Sequence, residues 1–282
     1  MATPRFSVVI PTYGRPRYLT EAVDSVLAQT VDDLECIVVD DASPDPIEVV
    51  PEPRVRVITR ATNGGSAAAR NAGIEAATGE FVAFLDDDDL FEPDRLELAL
   101  AGFERADVAL CWTQFVDGAP HHGRQLEGDV RNTILDDLVP HVGATAVRRS
   151  IVPRFDERVR CCEDLDWWLR LAQAAPVATT PRYGHRFRRH SGTRHRKTAE
   201  DRVEARTRIL AWHDGYFTDH PRARSFQWKR IGLYAVSAGH YRTARHAFAQ
   251  SLRARAQPST AWHLVRSLRP DDAGEQPVPS GA

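Results

Sequence analysis

The chain's 282 residues make room for one large domain, or for one domain with an appendage. With 27 % charged residues and no apolar run near the roughly 20 residues of a membrane helix, the composition excludes a polytopic membrane protein. The net charge of −2 hides an asymmetry: residues 1–181 carry 17 Lys/Arg against 31 Asp/Glu, and residues 182–269 carry 20 against 5.

Strand-like and helix-like segments alternate from the start. The opening MATPRFSVVIPTYG passes straight into an apolar strand over 6–10 and predicts no signal peptide. Leu19, Ala22, Val23, Val26 and Leu27 form one stripe of a helix over about 16–29. Residues 34–39 and 55–59 read as strands, and Asn63-Gly64-Gly65 precedes a helix over 66–77. Residues 81–85 form a fourth strand. Pro93 opens a third helix carrying Leu96, Leu100 and Phe103, and 108–112 is a fifth strand. From 115 to 140 the pattern weakens, with His121-His122-Gly123 and Gly128-Asp129 marking loops or short hairpins. A strand over 143–147, a helix over 163–174 and a strand over 183–190 follow.

This rhythm predicts an α/β fold, a mostly parallel sheet flanked by helices on both faces. After Thr198 the period is helical, and 231–256 resembles a single tetratricopeptide-like hairpin, a unit that cannot bury its own core. The expected organisation is a catalytic domain over 1–197, a helical region over 198–269 and a disordered tail over 270–282. Cys36 and Cys111 lie in strand-like runs, and adjacent Cys161 and Cys162 make no zinc spacing, which predicts free thiols in a reducing cytoplasm.

In open α/β sheets, ligands sit at the carboxyl ends of the strands. Three chemically unusual segments lie there: Pro11-Thr12-Tyr13-Gly14-Arg15, Asp40-Asp41-Ala42-Ser43, and the run Asp86 to Asp89. Four carboxylates at the end of a buried strand repel one another unless a cation joins them. Hard divalent cations take oxygen ligands and are commonly shared with a substrate's phosphates. The run therefore predicts a metal ion and a phosphorylated substrate; the alternative is a solvated acidic loop before the helix at Pro93.

The segments VVIPTYGRPRYLTEAVDSVLAQT, CIVVDDAS, NGGSAAARNAGIEAATGEFVAFLDDDD and CCEDLDWWLRLA occur in this order and spacing. Together they resemble the family 2 glycosyltransferases of the GT-A fold over about residues 5–195, leaving the helical region outside the match. The resemblance implies an inverting transfer of a sugar, of hexosyltransferase type, from a nucleotide-diphosphate donor to an acceptor hydroxyl. A UDP-sugar is the first expectation and a dTDP-sugar the second, with Mn²⁺ or Mg²⁺ as cofactor and polysaccharide biosynthesis as setting.

Carried over residue by residue, the resemblance puts Pro11, Thr12, Tyr13, Arg15, Asp41, Arg70, Asp86, Asp87 and Arg189 against the nucleotide sugar. Asp88, Asp86 and His190 become metal ligands, Asp164 the general base and Glu163 its orienting partner. Asp40 and Asp89 are expected to support these, Asp166 to be structural, and Arg194 and His195 are weaker candidates. Trp167 and Trp168 either line the acceptor pocket or pack in the core.

Two rival classes stand beside the transferase: a degenerate nucleotide-sugar binding protein and a sugar nucleotidyltransferase. The latter needs a Gly-rich basic loop after the first strand, where this chain has Pro-Thr-Tyr-Gly-Arg. The acceptor is left open among carbohydrate, lipid-linked, protein and small-molecule hydroxyls. No nucleic acid is expected. The expected location is cytoplasmic, with peripheral contact at the inner face of the membrane left open through the Arg-rich helices.

Overall fold

The computed structural model describes residues 3–49, 51–189 and 198–267. The chain runs β1 (Phe6–Thr12), α1 (Pro16–Leu27), β2 (Leu34–Asp40), β3 (Val55–Thr59), α2 (Gly65–Ala76), β4 (Phe81–Phe84), β5 (Leu90–Phe91), α3 (Arg95–Phe103) and β6 (Val108–Phe115). It continues with β7 (Pro120–His122), β8 (Glu127–Gly128), β9 (Thr145–Arg148), α4 (Glu163–Ala174) and β10 (Val177–Phe187). The helices α5 (Ala199–Trp212), α6 (Asp214–Asp219), α7 (Pro221–Ser237), α8 (Tyr241–Ala254) and α9 (Pro258–Arg266) follow. Two compact units result: Met1–Arg131 with Pro140–Gly192, and Asn132–Val139 with Thr193–Ala282.

The first unit is built on a sheet of order β3-β2-β1-β4-β9-β6-β10-β5. β1 is buried along its length and pairs in parallel with β2 and β4, and β2 pairs in parallel with β3. The carboxyl ends of β1, β2 and β4 therefore share one edge, as the sequence reading required. The second half of the sheet is mixed. β9 enters antiparallel between β4 and β6, while β10 runs parallel to β6.

β10 begins at Val177, six residues before the strand expected from the sequence. Register shifts near Thr179 to His185 interrupt its ladder, so no clean alternation marks its first half. Helix α2 lies hard against β1: a Cβ at Gly73 would overlap Val9 Cγ1, so the close approach depends on that glycine. Phe6, Leu19, Val26, Phe81 and Leu96 belong to one apolar core.

In the helical unit, α7 and α8 are joined at Gly239, whose φ of +82° suits glycine. A Cβ at Gly232 would overlap the fully buried Phe248 ring, and Ser225 and Ser251 share a buried hydrogen bond of 3.0 Å. Gln227 donates to the Leu135 carbonyl at 3.1 Å, tying in the Asn132–Val139 segment. The hairpin thus gains its core from neighbours in its own unit. No helix among the described residues is long and apolar enough to cross a membrane. The expected tail over 270–282 lies outside the described residues.

Candidate active site

The four aspartates form a tight turn. The Asp89 amide donates to the Asp86 carbonyl at 3.0 Å, and a turn of this kind splays consecutive side chains in different directions. Asp87 points back under β1, where it accepts from Thr12 Oγ1 at 2.7 Å and from Arg15 at 2.9 Å. Burial pushes its carboxyl up to about 6 against the opposing pull of Arg15 and Thr12. Arg15 also reaches Asp88 at 2.8 Å. One arginine from the β1–α1 loop thus spans two members of the run, at strand ends that the parallel pairing of β1 and β4 already brings together.

Asp86, Asp88 and Asp89 each offer a carboxylate oxygen, and these atoms lie within 4.8 Å of one another. Asp86 keeps 44 % of its side chain open to solvent. Burial works to raise its carboxyl, but Arg70 and the nearby His185 and His141 outweigh that and lower it. Three converging hard oxygens, one of them open to solvent, fit a divalent cation that keeps room for substrate oxygens.

Asp89 contributes to this group although its expected role was a supporting one. Both of its oxygens are engaged, by His185 Nε2 at 3.1 Å and by the Arg188 amide at 2.9 Å. Burial pulls the His185 imidazole down to about 4, against Asp86, so the ring is neutral near pH 7. It donates from Nε2 to Asp89 and accepts the Thr113 hydroxyl at Nδ1, 3.1 Å away.

Arg70 links this edge to α4. It is buried, donates to Asp86 at 2.6 Å and to Glu163 at 3.2 Å, and lies over the Phe155 ring. Burial would lower the guanidinium, but the two carboxylates raise it above its ordinary value. Glu163 also accepts from Ser66 Oγ. The adjacent Asn71 clamps the backbone of Phe155 from both sides, at 2.7 and 2.9 Å. Phe155 stacks on Trp167 of α4 at 5.0 Å, so α2 sets the position of α4.

α4 starts from Cys162 in the left-handed region (φ 58°), followed by Glu163 and Asp164 in its first turn. Negative charge is favourable there because the helix amides point at it. Asp164 accepts the Leu165 amide at 2.9 Å and is half-buried at the helix start. Asp166 forms an i,i+4 pair with Arg170, in keeping with a structural part. Trp167 and Trp168 are both fully buried, and their indole N–H groups donate to the Pro153 and Pro140 carbonyls. The pocket-lining alternative for these tryptophans is corrected: each ring finds an apolar bed and a carbonyl inside the core.

The second strand end is organised around Asp41. It accepts from Arg60, from Gly64 N at 3.1 Å and from Gly65 N at 2.7 Å, so it pins the Gly-Gly turn that starts α2. Asp40 instead accepts the Ser43 amide, and Ser43 Oγ accepts from Gly14 N, joining the first two strand-end loops. Pro11 lies buried in β1, and Tyr13 is half-buried beyond it.

Arg189 is exposed and its guanidinium lies over the Phe115 ring, 3.3 Å from its centroid. Its neighbour Arg188 contacts the run: its amide donates to the Asp89 carboxylate and its Nε to the Asp88 backbone carbonyl, both at 2.9 Å, while its guanidinium pairs with Glu21. His190, Arg194 and His195 lie outside the described residues. Sequence reasoning missed Arg60, Asn71 and His185. Nothing local marks them, because each acts on a partner brought near only by the sheet.

The family profile described as "Glycosyl transferase family 2" matches residues 7–153, more than half of the chain, and the chain belongs to that family. A Nostoc protein called "Uncharacterized glycosyltransferase alr2836" is 35 % identical over 171 residues, 53 % of this chain and 52 % of its own length. The chain spans 52 %, 34 % and 42 % of the length of three of the curated relatives it matches. Among solved structures, S. aureus TarS 1-349 in complex with UDP-GlcNAc aligns with a TM-score of 0.67 at 20 % identity, over 92 % of this chain and 84 % of that one. The Pyrobaculum calidifontis mannosyltransferase PcManGT, in complex with GDP-Man and Mn2+, aligns at 0.59 and 21 % identity, over 95 % and 80 %. At these identities the likeness shows the shared α/β fold.

Proposed function

We propose that the chain is an inverting, metal-dependent glycosyltransferase of hexosyl type that moves a sugar from a nucleotide-diphosphate donor to an acceptor hydroxyl. The observation that carries this reading is Arg70, which joins the strand-end carboxylates at Asp86 to the acidic pair of α4 at Glu163. A donor site and a base are of use only when they face one reacting centre.

In this reading, residues 1–197 form the catalytic domain and 198–269 an added helical one, and the location is cytoplasmic. The nucleoside lies against Pro11, Thr12, Tyr13 and Asp41, with the Arg60 contact giving way so that Asp41 accepts a base N–H. An imide N–H of uracil or thymine suits that carboxylate, and a UDP-sugar is the donor we favour. Asp86 and Asp88 hold the cation, His190 remains a further candidate ligand, and Asp89 is held in place by His185 and Arg188. When bound, Mn²⁺ or Mg²⁺ supplies positive charge against the departing diphosphate. Arg15, with Arg188 or Arg189, adds fixed positive charge on the same side, and Asp87 anchors Arg15.

Asp164 takes the proton from the acceptor hydroxyl as its oxygen attacks the anomeric carbon from the face opposite the leaving group. Glu163, held by Arg70 and Ser66, orients that end of α4. The acceptor class is a carbohydrate hydroxyl in polysaccharide assembly.

Calorimetric titration of UDP, dTDP and GDP, with Mn²⁺ and then with EDTA, tests the donor half. Metal-dependent binding of UDP is expected. Absence of binding by every diphosphate in a folded sample would sink the reading.

A further inference from the structure

The helical unit carries positive charge that its own sequence does not balance. From His220 to Ser267 there are nine Lys or Arg and not one Asp or Glu. Arg222 and Arg224 reach back to Asp136 and Asp214, acids outside that stretch. Arg253, Arg255 and Arg266 are exposed and form no ion pair among the described residues.

Helix α9 adds a second, independent observation. Pro258, Ala261, Trp262 and Val265 are all exposed, and the spacing i, i+3, i+4, i+7 puts them on one stripe. Trp262 is 53 % and Val265 65 % exposed, among the few large apolar side chains left open among the described residues. The inward side of α9 carries Thr260, buried, and His263, stacked on Phe248 at 5.6 Å. The helix therefore turns Pro258, Ala261, Trp262 and Val265 outward while burying Thr260 and Ser267 and half-burying His263 and Leu264. Arg266 folds over the Trp262 ring at 4.5 Å, so a cation flanks the exposed indole.

We propose that this face docks on an anionic lipid bilayer surface. Trp262 and Val265 enter the headgroup boundary, while Arg253, Arg255 and Arg266 meet lipid phosphates. A single weak apolar anchor binds membranes only reversibly, and a basic patch beside it supplies the second signal that stable docking needs. A second copy of this chain is a poorer occupant, because it brings the same uncompensated cations. A nucleic acid would use the charge but leaves the aliphatic part of the stripe, Ala261 and Val265, without a partner. The inference stands apart from the catalytic reading, since neither donor nor cation takes part in it.

The test is co-sedimentation of the full chain with vesicles of phosphatidylcholine alone and of phosphatidylcholine mixed equally with phosphatidylglycerol. Binding to the mixed vesicles, weakened by added salt, is expected. Trp262→Ala with Val265→Ser should weaken it by about tenfold. Each of Arg253→Gln and Arg255→Gln should cost roughly fivefold. Circular dichroism melting of each variant establishes that these exposed changes leave the fold intact.

A folded chain that ignores the mixed vesicles at low salt overturns the proposal. So does equal binding to phosphatidylcholine alone, or binding that neither set of substitutions weakens. Self-association abolished by Trp262→Ala would reassign the face to a second copy. Oligonucleotide binding stronger than vesicle binding would reassign it to nucleic acid.

Discussion

The candidate site and the helical unit treat charge in opposite ways. At the site, Asp87 and Asp88 share Arg15, Asp86 shares Arg70 with Glu163, Asp89 has His185 and an amide, and Asp41 has Arg60 and two amides. In the helical unit, Arg253, Arg255 and Arg266 face solvent without a carboxylate among the described residues. A charge withdrawn from water must be paired or it destabilises the fold, whereas a solvated charge need not be. A buried charge therefore reports on how the chain folds, and an unpaired exposed one on what it meets.

The comparison breaks most sharply at Asp164, the half-buried carboxylate at the start of α4 that is the one proposed to do chemistry. Asp164→Asn should lower transfer by about 10²- to 10⁴-fold while leaving diphosphate binding nearly unchanged. Steady-state rates beside calorimetry check this, and near-normal turnover would reject the base. Next comes Arg70→Met, which strands two carboxylates beside a buried site. A loss of about 3–5 kcal/mol in denaturant unfolding is expected, with Arg70→Lys recovering part of it.

Glycines sharpen the contrast on the packing side. Gly73→Ala should cost about 1–3 kcal/mol, because the added methyl meets Val9 across the α2–β1 contact. Gly215→Ala in the helical unit meets nothing within 4 Å and should be neutral or slightly stabilising in the same melts.

A smaller effect concerns Glu35, where burial alone would raise the carboxyl. Hydrogen bonds from Ser7 and from the Thr78 hydroxyl and amide outweigh it and lower the value. Its stabilising contribution is present above the unfolded carboxylate range, about 4.3, and is lost as pH falls through the lower folded value. Glu35→Gln should therefore flatten the acid limb of stability against pH; an unchanged limb would discount the interaction. The smallest expected effect is Arg253→Ala, within about 0.5 kcal/mol of the parent, because it breaks no ion pair among the described residues. A larger loss would mean that this charge is structural and would erase the contrast.

Much of the site's address was legible in the chain. Apolar runs ending in Pro11-Thr12, Asp40-Asp41 and Asp86 to Asp89 mark strand ends, and the alternation of strands and helices implies a mostly parallel sheet, while the strand order came from the structure. The family could be named from four spaced segments. What stayed hidden were pairings that close long loops. Thr12 meets Asp87 75 residues on, Arg70 meets Glu163 93 residues on, and Asp89 meets His185 96 residues on. The antiparallel entry of β9 and the early start of β10 were also hidden, because short strands and shifted register blur the alternation by which strands are recognised.

By itself, then, the sequence determined the main strands and helices of the first half of the fold and which kinds of ligand the strand ends invite. Periodicity and side-chain chemistry are local properties, written in every few residues. Only the tertiary structure decided that Asp41 holds a glycine turn, that both tryptophans of α4 are core, and that Arg188 rather than Arg189 binds the aspartate run. Those outcomes depend on which neighbours the sheet order brings within hydrogen-bonding range, a distance that no spacing along the chain encodes.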